Sequence, residues 1–199
     1  MAVKDKNPEF VILTGPMFSS KTTSLLAIID RLDYQKRSVI LFKASEDDRF
    51  SETSVTTHTG HSAPAHIAKC GADILKSLAD SDEIYDVVAV DEAFMIEGVA
   101  DVLAWLYKKG VSIFISSLTL SYNLKVFKEM EKILPHATKI EVKPAVCTVC
   151  GRDAFYTYRK NDDNQMIVVG GSEIYEARCW EHHPFVNKKE ATEESGFDT

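Results

Sequence analysis

Phe10-Val11-Ile12-Leu13-Thr14-Gly15-Pro16-Met17-Phe18-Ser19-Ser20-Lys21-Thr22-Thr23-Ser24 is the stretch that decides the fold. An apolar run enters a turn of small residues, and the turn opens into a helical pattern. The order is that of a phosphate-cradling loop, G-x-x-x-x-G-K-[ST], with Gly15, Lys21 and Thr22 in register and Ser20 where the second glycine belongs. In such a loop, backbone N–H groups and a helix N-terminus hold phosphate oxygens. The lysine reaches the outer phosphates, and the hydroxyl of Thr22 ligates Mg²⁺. Gly15, Pro16, Met17, Phe18, Ser19, Ser20, Lys21 and Thr22 are therefore the candidate nucleotide-binding residues. A polar turn that merely caps a helix is the plainer alternative, and the strand-turn-helix context argues against it.

Downstream, Leu25, Ile28, Ile29 and Leu32 recur at i, i+3, i+4 and i+7, which is one apolar stripe of a helix. Residues 38–42 and 86–91 are continuous apolar runs of the kind buried on both faces of a parallel sheet. Residues 111–115 read the same way. Helices are expected near residues 72–79, near 99–108 with a stop at Gly110, and near 126–134 with a stop at Pro135. Residues 138–143 alternate and suit an edge strand. Residues 44–70 are polar and irregular. Strands alternating with helices imply an α/β fold, an open and mostly parallel sheet flanked by helices, with ligands beyond the carboxyl ends of the strands.

At Pro144 the character changes. We expect residues 1–143 to form the phosphate-loop α/β domain, 144–187 a small β-rich metal-binding module, and 188–199 a loosely attached charged tail. Cys147-Thr148-Val149-Cys150 precedes Cys179-Trp180-Glu181-His182-His183. Two knuckles of this spacing supply four tetrahedral Zn²⁺ ligands, Cys147, Cys150, Cys179 and His182, with His183 open as an alternative fourth. A closed site of this kind is structural.

Val87-Val88-Ala89-Val90-Asp91-Glu92 ends an apolar run in two acids. Asp91 suits a Mg²⁺ ligand. Glu92 would then stand beside the phosphates, where a carboxylate can take a proton from an attacking hydroxyl. Asp47 and Arg49 read either as a surface ion pair or as part of a loop folded over phosphates, with Arg49 neutralising transferred charge. His58, His61, His66 and His136 show no ligand spacing.

The chain has 199 residues and a net charge of −7, so it lacks the basic excess that polymeric nucleic acid requires. No apolar run approaches a bilayer span, and the first residues lack the apolar core of a secretory signal, so a cytoplasmic protein without membrane contact is expected. A base at the sheet edge and a module able to cover a small molecule favour phosphoryl transfer over hydrolysis.

These motifs together resemble the type II thymidine kinases, the human cytosolic, bacterial and phage type, from about residue 10 to 183. The family loop G-x-M-F-S-G-K-T/S appears as Gly15 to Thr22. Its K-x-x-x-D-x-R element appears as Lys43, Asp47 and Arg49, and its D-E-x-Q-F element as Asp91-Glu92-Ala93-Phe94-Met95. The stretch from Val168 to Tyr175 resembles the family's lasso, which closes over the nucleoside. The resemblance implies ATP-dependent, Mg²⁺-dependent phosphorylation of thymidine at its 5′-hydroxyl, with Glu92 as general base. Asp47, Arg49 and Asp91 would support the phosphates and metal. Met17, Met95, Tyr122, Phe127, Thr157, Met166, Val168 and Tyr175 would shape the nucleoside pocket. It also implies a zinc module that anchors the lasso, a homotetramer, and dTTP as a candidate feedback inhibitor. Ser20 and Phe94 depart from the family glycine and glutamine. They keep two alternatives in view: a degenerate nucleotide-binding protein without transfer, and a simple ATPase.

Overall fold

A computed structural model describes residues 7–45, 54–56, 62–161 and 168–187. The expected alternation is present. β1 (Phe10–Thr14) leads through the loop into α1 (Lys21–Tyr34), and β2 (Val39–Ala44) follows. Three short strands come next: β3 (Ser54–Thr56), β4 (Ser62–Pro64) and β5 (His66–Ala68). Then α2 (Gly71–Ala79), β6 (Val87–Asp91), α3 (Val99–Lys108), β7 (Ser112–Ser117), α4 (Lys128–Ile133) and β8 (Lys139–Val142) complete the α/β part.

Six strands form one sheet in the order β5-β2-β6-β7-β1-β8, and every neighbouring pair is parallel. Side-chain alternation divides the sheet into two cores. Phe10, Ile12, Phe42, Val88, Val90, Ile113 and Ile115 face α2, α3 and α4. Val11, Leu13, Leu41, Val87, Ala89 and Phe114 face α1 through Leu25, Leu26, Ile29 and Leu32. The buried face of α1 includes Leu26 where the simple stripe pointed to Ile28, which is only partly buried.

One expectation needs correction. The polar stretch 44–70 contributes a sheet strand, because β5 pairs with the end of β2, Phe42 opposite His66 and Ala44 opposite Ala68. Only Ala68 of β5 is buried, so an edge strand this exposed leaves little apolar signal. The fourth helix, α4, stops at Ile133, just before Pro135, as expected. A 3₁₀ turn, Leu134–His136, follows it and takes Pro135 into its first positions, where the missing N–H is no loss.

After β8 the chain builds two small antiparallel sheets, β9 (Ala145–Val146) with β10 (Asp153–Ala154) and β11 (Tyr156–Arg159) with β12 (Tyr175–Arg178). Ala145, Cys147, Ala154, Ala177 and Cys179 form its small core. So small an apolar core contributes few kcal/mol at about 25 cal/mol per Å², the situation in which small modules are commonly reinforced by a cross-link or metal.

Candidate active site and metal centre

The loop after β1 is shaped by close backbone approach. A Cβ on Gly15 would lie 2.1 Å from the Lys143 carbonyl oxygen, and Gly15 has φ +144°, so only glycine fits. Lys21 is buried, and its Nζ donates to the Pro16 carbonyl at 2.7 Å, as does Ser19 Oγ at 2.8 Å. The lysine thus lies folded along the loop it would serve. Ser20 occupies the left-handed region, φ 57° and ψ 29°, as the cap residue of α1, and its exposed side chain makes no capping bond. The departure from glycine therefore leaves the loop shape in place at a conformational cost. Among the described residues no acid stands within the first turn of α1 itself.

Opposite, Asp91 is buried at the end of β6 on the α1 side of the sheet. Thr22 Oγ1 donates to its carboxylate, 3.2 Å from each oxygen, and Ser116 Oγ on β7 donates to Oδ1. Lys43 on β2 is in register with Asp91 and is buried. Glu92 follows in the left-handed region, φ 51° and ψ 46°. A non-glycine residue held there costs about 1–3 kcal/mol, and such strain gathers at functional sites. The turn after it is held by Phe94 N–H donating to Ser117 Oγ at 3.1 Å. Ser116 and Ser117 were missed in the sequence. Two buried hydroxyls ending an apolar strand beside the Asp91 strand were the available signal.

The expected pocket residues converge in part. Met17 N–H donates to Thr157 Oγ1 at 3.0 Å, which ties the phosphate loop to β11 across 140 residues. Tyr175 is buried opposite Arg159, and its hydroxyl donates to the Val168 carbonyl at 2.7 Å. Phe127 is buried and packs against Phe94 in a tilted pair, 4.4 Å between ring centroids, so Phe94 fills apolar space that a glutamine would leave polar. Met17 and Met95 pack partly buried against the same core. A cavity of about 350 Å³ adjoins, walled by Gly15, Pro16, Thr119, Ser121, Val142 and Thr157 among others. Asp47, Arg49, Met166, His58 and His61 lie outside the described residues. His66 is exposed and His136 stacks on Phe10, so neither joins the site.

Cys147, Cys150, Cys179 and His182 bring one donor atom each within 4.8 Å of one another, a set that could hold a metal ion. Cys150 Sγ and Cys179 Sγ are 3.7 Å apart. That is far beyond a disulfide, and it matches the edge of about 3.8 Å of a tetrahedron with 2.3 Å metal–sulfur bonds. The open question of the fourth ligand is answered by geometry. His182 Nδ1 lies 3.2 Å from Cys179 Sγ and 3.8 Å from Cys147 Sγ. His183 is fully buried and turns its Nε2 to the Thr157 carbonyl at 3.0 Å. Burial pushes the His183 pKa below its ordinary value, against the hydrogen bond to Thr157. Burial pushes the Cys147 thiol up, but amide hydrogen bonds at Cys179, Val149 and Cys150 outweigh it and hold the thiol at about 6, ready as a thiolate ligand.

Comparison with known proteins bears on this site. A family profile described as thymidine kinase matches residues 9–183. A thymidine kinase of Thermococcus kodakarensis is 36% identical over 182 residues, covering 86% of this chain and 92% of that protein. A thymidine kinase of Mycoplasma genitalium is 34% identical over 185 residues, covering 91% of this chain and 85% of its own length.

Proposed function

The chain belongs to the thymidine kinase family, and from that premise we propose that it transfers the γ-phosphoryl group of ATP to the 5′-hydroxyl of thymidine, giving dTMP. The observation that carries the residue-level reading is the meeting of Thr22 with Asp91, with Glu92 next along the strand. In this reading the loop amides and Lys21 bind the phosphates, and Glu92 accepts the proton from the 5′-hydroxyl as the new P–O bond forms. Thr22 and Asp91 would hold Mg²⁺, which when bound neutralises phosphate charge. Asp47 and Arg49 are proposed to assist at the phosphates.

The nucleoside would lie between the Met17–Thr157 contact and the lasso residues Val168 and Tyr175, with Met95, Tyr122, Phe127 and Met166 completing the walls. Main-chain pairing with a base edge is selective, because an analogue that leaves it unmade strands buried polar groups. The metal cluster is read as a structural Zn²⁺ site, since three thiolates and one imidazole complete a tetrahedron. Its place at the roots of β11 and β12 supports an anchoring role for the lasso, and a division of the chain near residue 144. A homotetramer, inhibition by dTTP and a cytoplasmic location are part of the same proposal. Among the described residues no helix is long and apolar enough to cross a membrane.

A nucleoside panel with ATP, read by ADP release, tests this. Thymidine-dependent ADP production is expected. Tight ATP binding with no transfer to any nucleoside overturns the kinase reading in favour of a degenerate nucleotide-binding protein, and ADP production without nucleoside points to an ATPase.

A further inference from the structure

Arg159 is a charged residue that the reaction above does not use, yet it packs against Tyr122 and opposite Tyr175, two of the expected nucleoside-pocket residues. It is only 4% exposed on β11, two residues beyond Thr157 and therefore on the same face of the strand. Its guanidinium carbon sits over the Tyr122 ring, 3.7 Å from the centroid, in cation–π contact. Across the β11–β12 ladder its register partner is Tyr175. Tyr175 in turn donates to the Val168 carbonyl at 2.7 Å. Burial works against the charge of Arg159, but interaction with the Tyr122 and Tyr175 side chains outweighs it and lifts the pKa above the ordinary arginine value.

Three separate parts of the chain meet at this one side chain. Tyr122 comes from the loop after β7, which is clipped by the Leu120–Val126 bridge. Tyr175 opens β12 and, through Val168, reaches the lasso. Arg159 itself belongs to β11, whose Thr157 is bonded to the phosphate loop at Met17. A planar cation can lie flat on one phenol ring while its rim faces a second. An aliphatic side chain of the same length cannot hold both, and an ammonium cannot stack.

We propose that Arg159 is a positioning residue for the nucleoside: set over the Tyr122 ring and beside Tyr175, it locks the loop after β7 to the lasso hairpin, so that the pocket walls are in place before the nucleoside arrives. This deepens the kinase reading and rests on it. Arg159 acts through the two tyrosines and not on the phosphates, so its loss falls on nucleoside capture and leaves nucleotide binding alone.

The test uses the full-length, metal-loaded protein in three forms: wild type, Arg159→Met and Arg159→Lys. Thymidine KM, kcat, ADP affinity by calorimetry and thermal midpoint are read for each. Arg159→Met should raise the thymidine KM roughly tenfold, because small misplacements of binding groups are costly. Its kcat should stay within about threefold, and ADP affinity should be unchanged, the signature of lost binding that does not distinguish ground from transition state. Arg159→Lys, which keeps the charge without the stacking plane, should fall between. Tyr122→Leu should reproduce the KM rise, and adding it to Arg159→Met should raise KM little further, since both break one contact. An unchanged KM in Arg159→Met, or a parallel loss of ADP affinity and thermal midpoint, overturns the positioning role. A wild-type protein that releases no ADP with any nucleoside overturns the kinase reading itself, and the nucleoside pocket with it.

Discussion

Thr22 Oγ1 lies 3.2 Å from both carboxylate oxygens of Asp91, although 69 residues separate them in the chain. The contact joins the first turn of α1 to the end of β6, the two places where the sequence pattern put its candidate Mg²⁺-binding hydroxyl and acid. With Ser116 donating to the same carboxylate, Asp91 is aimed before any ligand arrives. Asp91→Asn should lower kcat by roughly 10²–10³, the size of losing one preorganised electrostatic partner. Thr22→Val should fall in the same direction, and Thr22→Ser should stay near wild type. Turnover titrated against Mg²⁺ checks this, with nucleotide affinity as the control.

Glu92 combines a proposed chemical role with backbone strain. Glu92→Gln should cut kcat by about 10²–10⁴, the range for losing a general base, with the fold intact. Glu92→Gly should be equally inactive but more stable, since glycine accepts φ 51° without the Cβ clash. The gain is about 1 kcal/mol, which is about 2–4 °C in midpoint for a chain of this length. An inactive glycine variant with a lowered midpoint would show that the conformation is not strained.

Ser20 carries the same conformation with no cap bond to lose. Ser20→Gly should stabilise by about 0.5–1 kcal/mol, the left-handed penalty less the added freedom of the unfolded chain. Activity should be retained or raised. Denaturant midpoints and ATP kinetics on the same preparation decide it.

Metal removal should separate the two parts of the molecule. The sheet β5-β2-β6-β7-β1-β8 has cores on both faces, whereas the β9–β12 region has five small buried residues around the ligand cluster. A chelator that strips the metal should abolish thymidine binding while the far-ultraviolet spectrum and ADP affinity persist. Elemental analysis should return one zinc per chain before treatment. Unchanged thymidine affinity after verified metal loss would contradict the anchoring role.

Glu141 on the edge strand β8 sits between Lys139 at 2.5 Å and Lys143 at 2.8 Å. Hydrogen bonds from Lys139 and then Lys143 pull its carboxyl from the ordinary 4.5 to about 2. A depressed carboxyl favours the folded state when ionised, so its contribution is complete above about 4.5 and fades as pH falls towards 2. Exposure limits each pair to about 0.2–1 kcal/mol. Glu141→Gln should therefore lower the urea midpoint at pH 7, and the difference from wild type should vanish near pH 2.

Much of this architecture is legible in the sequence because its signals are local. The buried runs at β1, β2, β6 and β7 announce parallel strands by composition alone. The Gly15-to-Thr22 turn, the Asp91-Glu92 strand end and the cysteine knuckles each need only neighbours in the chain. β5 was invisible because a three-residue edge strand exposing His66 and Ile67 carries no apolar pattern. The stop of α4 before Pro135 was legible because proline is excluded from helix interiors, whereas the 3₁₀ turn that carries Pro135 leaves no such signal.

By itself, then, the sequence determined the strand-helix alternation, the candidate phosphate loop, the acid pair and the paired metal knuckles, with the fourth ligand open between His182 and His183. All follow from backbone periodicity and short-range stereochemistry. Only the tertiary structure decided that His182 joins the cysteines while His183 turns to Thr157, that Ser116 aims Asp91, and that Arg159 sits over the Tyr122 ring. Those outcomes depend on distances between groups far apart in the chain, set by the packing of the sheet and the small β module together, and no local pattern encodes them.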